Sequence, residues 1–235
     1  MSRHMLPGEP PVEITLRRSA RARRFSLRVS RLDGRVTLSM PARAREAEAL
    51  RFAADKAGWL RAVLRDAAPR EGLAFGATVP FEGRALGVTA ASVRAVRVEG
   101  TALLAPPDPA RLGARVAAFL KFAARQRLHA ACEAHAGAIG CRFSRITLRD
   151  TRSRWGSCTA DGGLMFSWRL IMAPPEVLDY VAAHEVAHLV EMNHSPAFWA
   201  VVRGLMPGYE PHRRWLKRNG GALHRLDFGT GAADD

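Results

Sequence analysis

The sequence predicts an α+β protein. An N-terminal antiparallel β-sheet with a helix is followed by a compact unit organised around one buried helix. Three observations carry this reading. Residues 12–40 alternate apolar and polar side chains, residues 42–64 and 109–136 change to helical spacing, and residues 177–192 are apolar nearly all round yet include His184, Glu185 and His188.

In the first stretch Val12, Ile14 and Leu16 alternate with Glu13, Thr15 and Arg17. Phe25, Leu27 and Val29 alternate with Arg24, Ser26 and Arg28, and Val36, Leu38 and Met40 with Arg35, Thr37 and Ser39. Period-two patterning of this kind marks half-buried strands, the last two joined by a turn at Asp33-Gly34. Leu50, Ala53, Ala57, Leu60 and Leu64 then form one stripe of a helix that closes over the sheet. Residues 70–108 read as short strands broken by Gly and Pro, ending in the break "APPDPA".

Beyond that break a long helix, about residues 109–136, carries Leu112, Val116, Phe119, Leu120, Ala123 and Leu128. Two strands follow, "RITLRD" and "LMFSWRL", separated by "TRSRWGSCTADGG". The expected organisation is a β-rich part with a basic face at 1–108, a second unit at 109–228, and a frayed tail at 229–235.

Composition limits the function classes. Hydrophobic content of 48% and charged content of 25% are ordinary for a globular chain. No apolar run reaches the roughly 18 residues of a membrane span. The opening residues show no block like a secretory leader, so no membrane role and a cytoplasmic setting are expected. Cys132, Cys141 and Cys158 form no C-x-x-C pair, which argues against a disulfide scaffold or an all-cysteine zinc site. The 36 Lys+Arg against 22 Asp+Glu give +14, a balance that favours polyanionic partners. "LRRSARARRFSLRVSR" is either a solvated strand face or a phosphate-contacting surface. It lacks a series of aromatics, so non-specific nucleic-acid binding is expected rather than sequence readout.

The chemistry lies in "HEVAHLVEMNHSPAFW", residues 184–199. His184 and His188, four apart on a helix, project from one face. Buried imidazoles and a buried carboxylate need partners. A zinc ion fits that spacing, with Glu185 placed to take a proton from zinc-bound water. A third ligand is needed, and one position stays open for water. His194 is favoured because a helix stop at Asn193 would swing it back beneath the other two, with Ser195-Pro196 opening a new helix. Glu210, after a further helix, is the rival. Glu191, a turn beyond His188, supports a ligand or pairs with an arginine.

Three segments resemble a known family: "SRWGSC" (153–158), "FSWRLIMAPPEVLDYVAAHEVAHLVEMNHSPAFW" (166–199) and "PGYEPHRRWLK" (207–217). Together they are similar to the YgjP-like metallopeptidases, which are related to the SprT-like zinc peptidases. The resemblance implies a zincin-like catalytic unit, zinc on His184, His188 and His194, one ion per chain, and Glu185 as general base. It implies a peptide or unfolded protein as substrate. The string also matches the metzincins, but these carry glycine where this chain has Glu191. Met206 is expected to end a helix rather than form their methionine turn.

A peptidase of this kind needs a donor for the transition-state oxyanion, and Tyr209, His212 and Arg154 are the candidates. Arg154 is otherwise expected to pair with Glu191, Cys158 to be an ordinary buried thiol, and Trp168, Trp199 and Trp215 to be core residues. "LMFSWRL" is the expected edge for an extended substrate. The competing class is a basic nucleic-acid-binding protein whose metal site is structural or inactive. Glu185 separates the two, because a structural site is closed by four ligands and needs no general base.

Overall fold

The computed structural model describes residues 2–30, 34–66, 71–151 and 154–229. The chain divides into two compact units, Met1–Pro69 and Arg70–Asp235. Among the described residues no helix is long and apolar enough to cross a membrane.

The first unit contains β1 (Ser2–Leu6), β2 (Val12–Ser19), β3 (Ser26–Val29), β4 (Val36–Pro41), α1 (Glu46–Asp55) and α2 (Ala57–Asp66). The expected antiparallel sheet is in fact mixed. Its order is β1-β2-β4-β3, antiparallel at β1/β2 and β3/β4 but parallel at β2/β4. The cause is burial: Val36, Leu38 and Met40 of β4 are all buried, so β4 takes the centre, while half-buried β3 takes the edge. β1 has no alternation to read in the sequence, since Leu6 is its only buried residue. It is held by its ladder to β2 and by His4, whose ring meets the Glu46 carboxylate at 2.5 Å. The single helix expected after residue 42 is two, interrupted at Lys56. Ala53 and Leu60 of the predicted stripe nevertheless cover the sheet's inner face, joined by Ala49, in one core with Ile14, Leu16 and Leu38, while Leu50, Ala57 and Leu64 are partly buried against it. Of the expected turn, Asp33 lies outside the described residues, while Gly34 adopts φ 68° and donates to the Ser30 carbonyl.

The second unit runs β5 (Glu71–Gly72), β6 (Thr78–Phe81), β7 (Arg84–Ala90), β8 (Arg97–Glu99), β9 (Ala102–Ala105), α3 (Pro109–Ala138), β10 (Arg145–Arg149), β11 (Gly156–Cys158) and β12 (Gly163–Ser167). A 3-10 turn at Trp168–Met172 leads to α4 (Pro175–Ala187), α5 (Pro196–Leu205), α6 (Glu210–Asn219) and β13 (Leu226–Asp227). The proline-rich break at 108 lies inside this unit, because Leu103 and Ala105 of β9 share one core with Leu112, Val116 and Leu120 of α3. Asp108 caps α3 by accepting from the Arg111 amide at 3.3 Å. Of the expected tail, only Gly229 is described.

The small sheet β10-β12-β11 sets the site. "LMFSWRL" is not its edge. β12 is central, parallel to β10 and antiparallel to β11, and the chain turns 3-10 from Trp168 onward. β11, one of the two edge strands, packs beside α4. Arg169, 1% exposed, anchors the 3-10 turn. Its guanidinium forks onto Asp150 at 2.6 and 3.0 Å, donates to the Leu223 and Leu226 carbonyls, and lies against the Trp168 and Phe228 rings.

Candidate metal centre

Pro174 and Pro175 start α4, and Glu176 complements the positive end of its dipole. Val177, Leu178, Val181, Ala182, Val186 and Ala187 bury the helix on nearly all sides, as its composition requires. The helix ends earlier than expected, with His188 as its C-terminal cap rather than at Asn193. Asn193 does not use the left-handed conformation; among the described non-glycine residues only Glu82 has positive φ. Its side-chain oxygen instead accepts from the Ser195 amide at 2.9 Å. Ser195 then caps α5 by accepting from the Phe198 amide, with Pro196 in the first helical position, and Met206 ends that helix.

This turn brings His194 back to α4. One ligand atom each from His184, His188 and His194 lies within 4.8 Å of the others, a group that could hold a metal ion. The Nε2 atoms of His184 and His194 are 3.0 Å apart. At that separation both nitrogens are within reach of a single cation, which could accept both lone pairs. The Nδ1 of His188 faces the Glu191 carbonyl at 2.9 Å. Donating there, it leaves Nε2 unprotonated for a ligand. Glu191 therefore supports the cluster through its main chain rather than its carboxylate. Burial, reinforced by the other two rings and by Arg213, pushes His184 down to about 3. Burial also lowers His188. Neutral imidazole is the form that binds metals, so the donor set suits zinc.

Phe198 forms the floor of the cluster. It is fully buried, and its ring centroid lies 4.9, 4.4 and 4.7 Å from those of His184, His188 and His194. One ring fixes three.

Glu185 is 5% exposed, and burial pushes its carboxyl up to about 8 against the opposing charge of Arg154. Gly156 of β11 makes room for it: a Cβ there would meet the Glu185 Oε1 at 2.5 Å and Cγ at 2.6 Å. Arg154 is thus directed at Glu185 electrostatically, and no pairing with Glu191 is seen among the described residues. Ser153, the first residue of "SRWGSC", lies outside them.

The remaining candidates fall outside the histidine cluster. Glu210 begins α6 and does not join the group. His212 is half-buried on α6, its amide donating to the Tyr209 carbonyl. Cys158 is half-buried, and burial with the Glu185 charge raises its thiol. Tyr209 is buried in a stack, 5.9 Å from Tyr180 and 5.5 Å from Trp199. Trp168 is fully buried, whereas Trp199 and Trp215 are only half-buried. The stack continues to exposed Arg213, whose guanidinium lies 4.6 Å from the Trp199 ring centre. Arg213 and Phe198 were not singled out from the sequence. Their signals were spacing: Phe198 stands four residues after His194, just inside the helix that Ser195 caps, and Arg213 stands four after Tyr209, the N-cap residue of α6.

A family model described as YgjP-like, metallopeptidase domain, matches residues 23–219. Among solved structures, the chain is similar to the metallopeptidase zymogen abylysin of Pyrococcus abyssi, at 21% identity and a TM-score of 0.36, over 42% of this chain and 97% of that one. No curated protein matches.

Proposed function

The chain belongs to the YgjP-like metallopeptidase family, and from that premise we propose that it is a zinc-dependent peptidase with Glu185 as general base. The observation that carries this reading is the convergence of three imidazoles, from His184, His188 and His194, beside the buried carboxyl of Glu185. His184, His188 and His194 would hold one zinc ion. Bound there, zinc supplies Lewis acidity toward the scissile carbonyl and toward water.

Glu185 accepts the proton of the attacking water and delivers it to the leaving amine. A carboxyl that takes up and releases one proton in turn serves both steps. Arg154 tunes its proton affinity downward, so the carboxylate form stays accessible. An extended peptide or unfolded protein segment pairs with the outer edge of β11, which passes beside Glu185 at Gly156. Arg213, held over Trp199 near His184, joins Arg154 as a donor for the oxyanion or for an acidic substrate group. Tyr209 is retained as a packing residue.

The competing reading makes the metal structural. Against it stands the ligand count: a closed site needs a fourth protein donor, and neither Cys158 nor Glu210 joins the three histidines.

Two measurements test the proposal. Elemental analysis of chelator-free protein should give about one zinc per chain, lost in His194→Ala and kept in Glu210→Gln. Glu185→Gln should keep the metal and abolish hydrolysis of an unfolded protein substrate. Equal activity in that variant would sink the general-base role.

A further inference from the structure

The first unit carries fifteen arginines and lysines against seven acids in 69 residues, more than half of the net charge of +14 in under a third of the chain. The register shows where this charge sits. Because Val12, Ile14, Leu16, Val36, Leu38 and Met40 point into the core, their alternates point away from it. Across the sheet the outward row runs Arg3, Thr15, Thr37, Arg28, and the next runs Arg17, Ser39, Ser26. The outer face thus carries small hydroxyl side chains on β2, β4 and β3, with Arg3 and Arg28 on the two edge strands and Arg17 on β2.

Three features of this face select its partner. Arg17 and Arg28 are exposed and have no ion-pair or hydrogen-bond partner among the described residues, so both guanidinium forks are available. Among the outward positions of the three ladders the one acid, Glu13, is engaged by Arg3 at 3.4 Å. Phe25, on the loop before β3, packs on Phe52 at 5.7 Å against the core, and among the described residues the outward positions of the four strands hold no ring to stack on a base.

We propose that the outer face of the β1-β2-β4-β3 sheet binds the phosphate backbone of nucleic acid without regard to sequence. Arginines neutralise phosphates, and the Thr and Ser hydroxyls between them donate to phosphate oxygens. An anionic membrane is the poorer fit, because the centre of the face offers hydroxyls, and exposed Met5 on edge strand β1 is a lone apolar side chain among the described outward positions rather than an apolar surface to insert. The surface is independent of the histidine cluster, so it stands or falls separately from the peptidase reading.

The test is fluorescence anisotropy of the full chain with labelled DNA duplexes of two unrelated sequences, across a salt series. The expected result is equal affinity for both, with log K falling linearly against log salt. Reversing Arg17 and Arg28 together to Glu should weaken binding at least about tenfold at low salt and reduce the slope by about two. Reversing exposed Arg94 and Arg125 of the second unit changes the net charge equally and should leave affinity within about threefold. Circular dichroism and melting confirm that each variant folds, and Arg17→Gln with Arg28→Gln replaces the reversal if it does not. Equal losses in both reversals would overturn the proposal, leaving only diffuse charge. So would absent duplex binding at low salt, including the case where vesicles containing phosphatidylserine bind instead.

Discussion

A methyl group at Gly156 would lie 2.5 Å from the Oε1 of Glu185, so the β11 backbone and the buried carboxyl share one space. No real side chain tolerates that approach. In Gly156→Ala the Glu185 carboxyl must move, while the histidines, which β11 does not touch in this way, keep their positions. Misplacing a reacting group by about 1 Å costs on the order of a hundredfold in rate. The expected outcome is unchanged zinc content with kcat/KM lowered by about that factor. Full activity would show that the carboxyl needs no fixed position.

The pH dependence of stability isolates the same carboxyl. In the metal-free chain burial holds Glu185 up at about 8, against an ordinary value of 4.5. Between these values the folded form holds a proton that the unfolded chain has released, so its contribution to stability falls as pH rises. Glu185→Gln removes that titration, while the depressed His184 affects parent and variant alike. The variant's melting point should therefore gain on the parent's between about pH 4.5 and 8, then hold a constant lead. A difference that does not change with pH would contradict the raised value.

The parts of the fold legible in the sequence are those where one residue type repeats with a period. The stripes of α3 and the alternation of β2 and β4 are of this kind. What the sequence hid depends on partners distant along the chain. Nothing in "SRHML" marks a strand, because β1 is stabilised by its ladder to β2 rather than by its own burial. The parallel pairing of β2 with β4 follows from which strand is buried deepest, and alternation alone is blind to order. At the site, His194 was placed from a helix stop at Asn193. The helix stops at His188, and an Asn193–Ser195 hydrogen bond makes the turn instead. The same histidine arrives by a different local device.

Arg169 illustrates a role invisible to periodicity. It sits in "LMFSWRL" where a strand pattern expects an outward, solvated cation, yet it is 1% exposed and bonded to Asp150 and two carbonyls. Arg169→Met fills much of the volume but leaves the Asp150 carboxylate and both carbonyls without this donor. Removing one partner of a buried pair costs about 3–5 kcal/mol. Melting should fall by on the order of 10 °C. A shift within about 2 °C would mean that water replaces the guanidinium at no cost.

Phe198 tests whether the three histidines are held by the metal alone or by the protein beforehand. Its ring stacks on His188 at 28° and meets His184 and His194 edge-on at 74° and 68°. The α5 cap at Ser195 fixes that ring, so the sequence that returns His194 also supplies its floor. Phe198→Leu keeps an apolar side chain there but removes the flat surface against which the imidazoles are oriented. A metal site loses about 10–100-fold in affinity when groups that orient its ligands are removed. Competition with a zinc chelator should show a weakening of that size, and the variant should lose only a modest part of its stability because the volume is largely conserved. Zinc affinity equal to the parent's would show that the ion orients the rings unaided. A weakening matched by a collapse of the fold would instead mark Phe198 as a core residue whose nearness to the site is incidental.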